Sequence, residues 1–188
     1  PIKSSAASDV YKRQKLYLKF KDAKYLADAK ILCAYVNANI LKSDYRVGEP
    51  PLTYTQGTFG EACRQLYHIT QEQSYMAIAE QVISYAFTST RCTNKGFLRD
   101  EGTDMNQSIF KAVLIPYAVN LVLDDAASGT VRNTLTLKLQ DNAEALRKNM
   151  DRTQWPAMYC NYYWGSSFNS ANICLLYTSD AADDLIGV

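Results

Sequence analysis

Asp104, Gln107, Ser108 and Lys111 fall at i, i+3, i+4 and i+7 in the segment DMNQSIFK. At helical spacing they make one polar stripe. The residues that follow, FKAVLIPYAVNLVL, are almost wholly apolar, so the helix that carries the stripe is expected to be buried. Polar groups on a buried helix must be paired or must face a wet cavity. Tyr54 and Gln56 in TYTQG, and Trp164 in YYWGSS, add two flat rings and an amide. Ring faces suit the apolar side of a pyranose, while amides, carboxylates and ammonium groups suit its hydroxyls. Tyr54, Gln56, Asp104, Gln107, Lys111 and Trp164 are therefore the candidate ligands of a neutral saccharide. Taken singly, Tyr54 and Trp164 read equally well as loop anchors, and Asp104 as a helix cap.

Other chemistries find little support. The chain has 20 Lys and Arg against 19 Asp and Glu, a formal net charge of +1, and no long run of one sign. That balance argues against a nucleic-acid partner. No apolar run approaches the ~18 residues of a membrane span. The one histidine, His68, lies in the helical run RQLYHIT and reads as structural. Cys33, Cys63, Cys92 and Cys160 are widely spaced, fit no zinc pattern, and read as buried free thiols rather than disulfides. A Ser–His triad, a Cys–His pair and a His-based metal site are disfavoured, and no metal or cofactor is expected.

The elements that must position these residues are helices. The apolar period predicts them near 23–39, 57–70, 73–88, 105–123 and 130–149, with the end of another near 15–20 and a last one beginning near 165. An internal repeat links them. Leu16-Tyr17, Tyr25, Ala27, Ala29 and Tyr35 recur as Leu66-Tyr67, Tyr75, Ala77, Ala79 and Tyr85, each offset by 50 residues. Each unit is a helix end, a short turn and a second helix, that is, an antiparallel hairpin repeated side by side. Short turns (KFKDA, TQEQ, DDAASGT) alternate with long connectors (LKSDYRVGEPPLT, TSTRCTNKGFLRDEGT, DRTQWPAMYCNYYWG). Alternate connections in such an array share an end, so the three long connectors are predicted to gather at one rim. The helix starts at TYTQG, EGTDMNQ and YYWGSS would then converge on one cleft, which favours a site over three unrelated anchors. Pro116 should kink the helix that contains it.

The two ends have a different character. SSAASDVYKRQ (4–14) and CLLYTSDAADD (174–184) lack an amphipathic period. As codons they are satisfied by a transposase sequencing adapter and by its reverse complement. Residues 1–14 and 174–188 are accordingly expected to be translated adapter, which leaves a domain over 15–173 truncated at both ends.

In 15–173 the motifs resemble glycoside hydrolase family 76, the endo-α-1,6-mannanases. The family's Thr-Tyr-Asn-Gln-Gly corresponds to TYTQG, and its Leu-Tyr-x-x-Thr-Gly-Asp-x-x-Tyr-Leu to LYHITQEQSYM. Its Gly-x-Leu-x-Glu, following Asp and Phe-Lys-Gly correspond to GFLRDE, Asp104 and Phe110 to Ala112. A later Asn-Ala and Trp-Gly match Asn142-Ala143 and Trp164-Gly165. Thr55, Ala112 and Pro116 depart from the family pattern. The resemblance implies an all-α fold, here an incomplete (α/α)6 toroid. It also implies hydrolysis of α-1,6-linked mannan by a retaining mechanism with two carboxylates, ~5–5.5 Å apart in such enzymes.

The family's carboxylates are adjacent aspartates on an earlier inner helix. They are expected upstream of Lys15, so no catalytic residue is assigned within this chain. Asp124-Asp125 is rejected as that pair. It follows the 105–123 helix and lies roughly 25–30 Å from the cleft end at ~1.5 Å per residue. By the same resemblance the partner is a mannan-type oligosaccharide, the protein is expected to be monomeric, and its location secreted, periplasmic or cell-surface. Two alternatives stand beside this reading: another (α/α)6 sugar enzyme, of glucuronyl hydrolase or epimerase type, and a non-catalytic helical glycan-binding module.

Overall fold

The computed structural model describes residues 2–102, 107, 109–153, 158–170 and 173–175. Six helices run through them: α1 (Ile2–Phe20), α2 (Ala23–Asn39), α3 (Thr53–Thr70), α4 (Gln73–Thr88), α5 (Phe110–Val122) and α6 (Gly129–Asn149). Two small antiparallel pairs accompany them. β1 (Thr93–Asn94) pairs with β2 (Phe97–Leu98), and β3 (Tyr159–Asn161) pairs with β4 (Ile173–Leu175).

The helices form a two-layer arc. α1, α3 and α5 stand side by side, and α2, α4 and α6 back them in turn. The layering follows from the apolar faces. α3 is buried at Thr53 and continuously from Thr55 to Cys63, as an inner helix with neighbours left, right and behind must be. Leu66, Phe59, Ala62, Ile83, Ala79, Leu114 and Ala118 fill the core around it.

The 50-residue repeat holds at the level of single hydrogen bonds. Lys21 and Gln71 both adopt the left-handed conformation, with φ of 57° and 63°. Their amides donate to Tyr17 O (2.7 Å) and Tyr67 O (2.6 Å). One turn later Tyr25 N and Tyr75 N each donate at 3.1 Å, to Asp22 O and Glu72 O. Ala29 and Ala79 are both fully buried, where a small side chain lets the neighbouring helix approach. Lys30 and Glu72 bridge the two units at 2.8 Å.

Two expectations about helix limits are corrected, and a third, the helix start at 105, lies outside the described residues. α3 begins at Thr53, four residues before the predicted start, so Gly57 and Gly60 sit inside a helix. Their value there is close packing. A Cβ on Gly57 would stand 2.8 Å from Leu114 Cα, and one on Gly60 would stand 2.4 Å from Ile83 Cγ1. No helix begins near 165. The polar segment GSSFNS instead wraps around Asn161, whose Nδ2 donates to Ser166 Oγ (2.9 Å) and Ser167 O (2.5 Å), and whose Oδ1 accepts from Asn169 N (2.9 Å). Such side-chain-to-backbone bonds compete with helix formation. The helix predicted from 105 is described from Phe110 onward.

Pro116 lies inside α5 and withdraws one donor from the carbonyl of Ala112. Both residues are exposed, so water can serve that carbonyl. α1 runs unbroken across Lys15, with Val10 fully buried and buried Gln14 donating to Ala62 O at 2.7 Å. Among the described residues no helix is long and apolar enough to cross a membrane.

Candidate functional site

The three long connectors meet at the rim where α3 and α5 begin, and each is fastened to a helix start. The first (41–52) is held by Gln56, which is fully buried. Its Oε1 accepts from Val47 N at 2.5 Å, and its Nε2 donates to Tyr45 O and Val82 O, both at 3.1 Å. Gln56 was a candidate saccharide ligand. The structure gives its whole amide to backbone, so it presents nothing to a ligand and acts as a positioning residue for the Tyr45–Val47 turn.

The second connector (89–109) is held by Glu101. The N-cap Leu52 offers no side chain to the first turn of α3. Glu101 replaces it from a distance. It accepts from Thr53 N and, at 2.5 Å, from Thr53 Oγ1. A carboxylate there also complements the positive end of the helix dipole. Burial pushes the Glu101 carboxyl above the usual glutamate range, against the pull of the Thr53 hydrogen bonds and of nearby Lys111. Gly102 follows with φ of +127°, and the amide of Gln107 occupies the space where a Cβ would be, 1.3 Å from its Oε1. Gln107 is thereby packed onto the Glu101–Gly102 backbone.

The third connector (150–165) is tied to α5, to α6 and to the second connector. Lys111, in the first turn of α5 and almost fully buried, donates to Tyr162 O at 2.6 Å. Its ammonium lies 6.0 Å from the centroid of the Trp164 ring. Trp164 N donates to Leu98 O (3.3 Å), Tyr163 Oη to Asn94 O (3.0 Å), and Asn149 Nδ2 to Trp164 O (3.0 Å). Across the first two connectors, Arg91 Nη1 meets Glu49 at 3.0 Å.

Tyr54 is half-buried and packs on Phe110, with centroids 4.4 Å apart and planes tilted by 43°. The structure thus brings Tyr54, Gln107, Lys111 and Trp164 to one rim, as the spacing of their segments requires. Asp104 and Ser108 lie outside the described residues. Sequence reasoning missed Phe110 as the partner of Tyr54, because an aromatic at the head of an apolar helix reads as core. It also missed Glu101 as the remote cap of α3, for which the only signal was the absence of a capping side chain at Leu52.

Two of the described carboxylates lie in the second connector. Glu101 is taken by Thr53, and the exposed Asp100 stands 3.8 Å from Arg99. The Asp124-Asp125 pair sits at the opposite end of α5, about 20 Å away by helix rise. There Asp124 Oδ2 meets Arg64 Nη1 (2.7 Å) and His68 Nε2 (2.5 Å). Arg64 also grips the buried Glu61 with two bonds of 2.8 and 2.9 Å. Asp125 is exposed and pairs with Arg132 at 2.9 Å. This end is a structural lock between α3 and α5, and His68 belongs to it. Among the described residues no cluster of His, Cys, Asp or Glu could hold a metal ion.

Comparison with known proteins adds an independent line. The family model for glycosyl hydrolase family 76 matches residues 15–177. No curated protein matches the chain. Among solved structures, the chain is similar to the GH76A α-1,6-mannanase from Salegentibacter sp. HEL1_6, with a TM-score of 0.76 and 22% identity over 84% of this chain and 50% of that one. An inactive variant of that enzyme, with two successive aspartates replaced and α-1,6-mannotetrose bound, matches equally well, with a TM-score of 0.75. The Lin0763 protein from Listeria innocua matches with a TM-score of 0.75 and 20% identity over 87% of this chain and 48% of that one. The chain spans about half the length of these structures. The likeness in fold and the match over 15–177 agree with each other and with the motif order: this chain belongs to glycosyl hydrolase family 76.

Proposed function

We propose that this chain forms one wall of the saccharide-binding cleft of an enzyme that hydrolyses α-1,6-linked mannan. The observation that carries the reading is the rim itself. The half-buried Tyr54–Phe110 pair, Gln107, and Lys111 beside Trp164 are drawn to one place by three interlocked connectors. Tyr54 and Trp164 would supply the ring faces for a pyranose, and Asp104, Gln107 and Lys111 the hydrogen bonds to its hydroxyls. Gln56 would hold Tyr54 and its connector in register.

The parent enzyme would use a retaining mechanism with two carboxylates. Those two groups are read as lying outside this chain. Among the described residues the one aspartate pair, Asp124-Asp125, closes the far end of α5. The 188-residue chain should accordingly bind mannan oligosaccharides without cleaving them. The reading includes a secreted, periplasmic or surface location, as a polymer-degrading enzyme requires, and a monomeric full-length enzyme.

The test is a titration of the chain with α-1,6-mannotetraose, followed by calorimetry or NMR and by product analysis. Saturable binding is expected, weakened at least about tenfold in Tyr54→Ala and Trp164→Ala, about 1.4 kcal/mol. The thermal midpoints of both variants should stay near the parent's. Absence of binding, or preference for a uronate oligosaccharide, would overturn the substrate class. Release of mannose or mannobiose would overturn the placement of the carboxylates.

A further inference from the structure

A pair of thiols that the rim does not use lies in the core. Cys33 on α2 and Cys63 on α3 are both fully buried, and their sulfurs stand 3.9 Å apart. They are 30 residues apart in sequence and belong to different helical hairpins. We propose that Cys33 and Cys63 are a cross-linking site: an oxidant of the disulfide class converts them to a disulfide that joins the first hairpin to the second.

The geometry favours closure. A disulfide needs an S–S distance of about 2.05 Å, so each sulfur must move by roughly 1 Å, which lies within a small χ1 adjustment. Cys92 Sγ is directed at Pro51 O, 3.9 Å away, whereas Cys160 stands opposite Cys174 in the β3–β4 register and is the second cysteine pair the peptide map must separate from Cys33–Cys63.

The chemistry balances with glutathione disulfide as oxidant. The two Sγ–H bonds break and one Sγ–Sγ bond forms. Two electrons and two protons pass to the oxidant, which leaves as two glutathione molecules. Burial sets the rate rather than the outcome. The thiol of Cys63 is pushed well above the ordinary cysteine value by burial and by the neighbouring Cys33, so almost no nucleophilic thiolate is present in the closed protein. Exchange must therefore proceed while α2 is parted from α3, during folding or local opening. Once formed, the link would stabilise by restricting the unfolded chain over the loop it closes. A ring of paired units in which each contacts only its neighbours gains most from a weld of this kind between units.

The experiment incubates the full 188-residue chain in a glutathione and glutathione-disulfide buffer containing sub-denaturing urea. Free thiols are then blocked by alkylation and peptides mapped by mass spectrometry. The expected result is a dominant Cys33–Cys63 peptide, lighter by two hydrogens than the sum of its reduced halves. A thermal midpoint raised by about 5 °C or more over the reduced chain is also expected. Cys33→Ala and Cys63→Ala should each abolish the peptide, and Cys92→Ala should leave it in place. Recovery of Cys33 and Cys63 as alkylated thiols while other cysteines pair would overturn the proposal. A cross-link that lowers the midpoint would do the same.

Discussion

Gln56 and Asp124 mark two ends of the same pair of helices, and each is polar for a reason that position alone explains. Gln56 is spent on three backbone groups of two different elements, so it fixes where the first connector leaves α3. Asp124 works by charge. Burial pushes its carboxyl up, but hydrogen bonds from His68 and Arg64 outweigh that and hold it below the usual aspartate value. The unfolded chain therefore takes up this proton before the folded protein does. The stabilisation is complete above about pH 4 and is lost as pH falls through the lower folded-state value. Asp124→Asn is expected to lose about 1–3 kcal/mol at pH 7, because Arg64 keeps its buried partner Glu61 but loses a second. Its urea midpoint should also fall less steeply than the parent's below pH 4. A variant with the parent's acid limb would remove Asp124 from the lock.

At the scale of elements, the glycines of α3 decide how close its neighbours stand. Gly57 has the backbone of Leu114 against it, which cannot swing aside. Gly57→Ala should gain about 1 kcal/mol of helix propensity and lose more to displacement of α5, for a net destabilisation of about 1–3 kcal/mol. Gly129→Ala, with nothing within 4 Å, is the control and should be neutral or slightly stabilising. Chemical denaturation of the two variants separates packing from propensity.

The same glycines show what was legible in the sequence. The hairpin repeat was readable because a left-handed residue, a capping turn and buried alanines recur at fixed offset. The shared rim was readable because connector lengths alternate. The start of α3 was not, since glycine reads as a turn unless the close neighbour is known. The absence of a helix after 165 was likewise hidden, because Asn161, which captures the GSSFNS segment, is distant in the pattern though near in space. At the candidate site, Tyr54, Lys111 and Trp164 were placed by their segments. The buried role of Gln56 depends on partners up to 26 residues away, which no local pattern encodes.

At the scale of the molecule, the arc has an open flank. Ile109, Ala112, Pro116, Val119 and Leu123 follow one another along α5 at alternating spacings of three and four, and all are exposed. Ile109 is 54% and Leu123 72% accessible. Spacing of this kind marks a helix face suited to another helix, and a continuous exposed face of it is an association hazard. The chain is expected to self-associate with rising concentration. Val119→Glu combined with Leu123→Lys should suppress that in light scattering without lowering the thermal midpoint. A parent chain that stays monodisperse at millimolar concentration would contradict this.

The fasteners at the rim also determine where the protein tolerates growth. Val47, Glu101, Leu98 and Tyr162 are pinned, so extra residues on either side of any of them would drag a ring or an ammonium group out of place. The turn at Lys95-Gly96 is different. It lies between two paired strands and its glycine has open space around it. New sequence can enter there without disturbing the bonds that fasten the connectors.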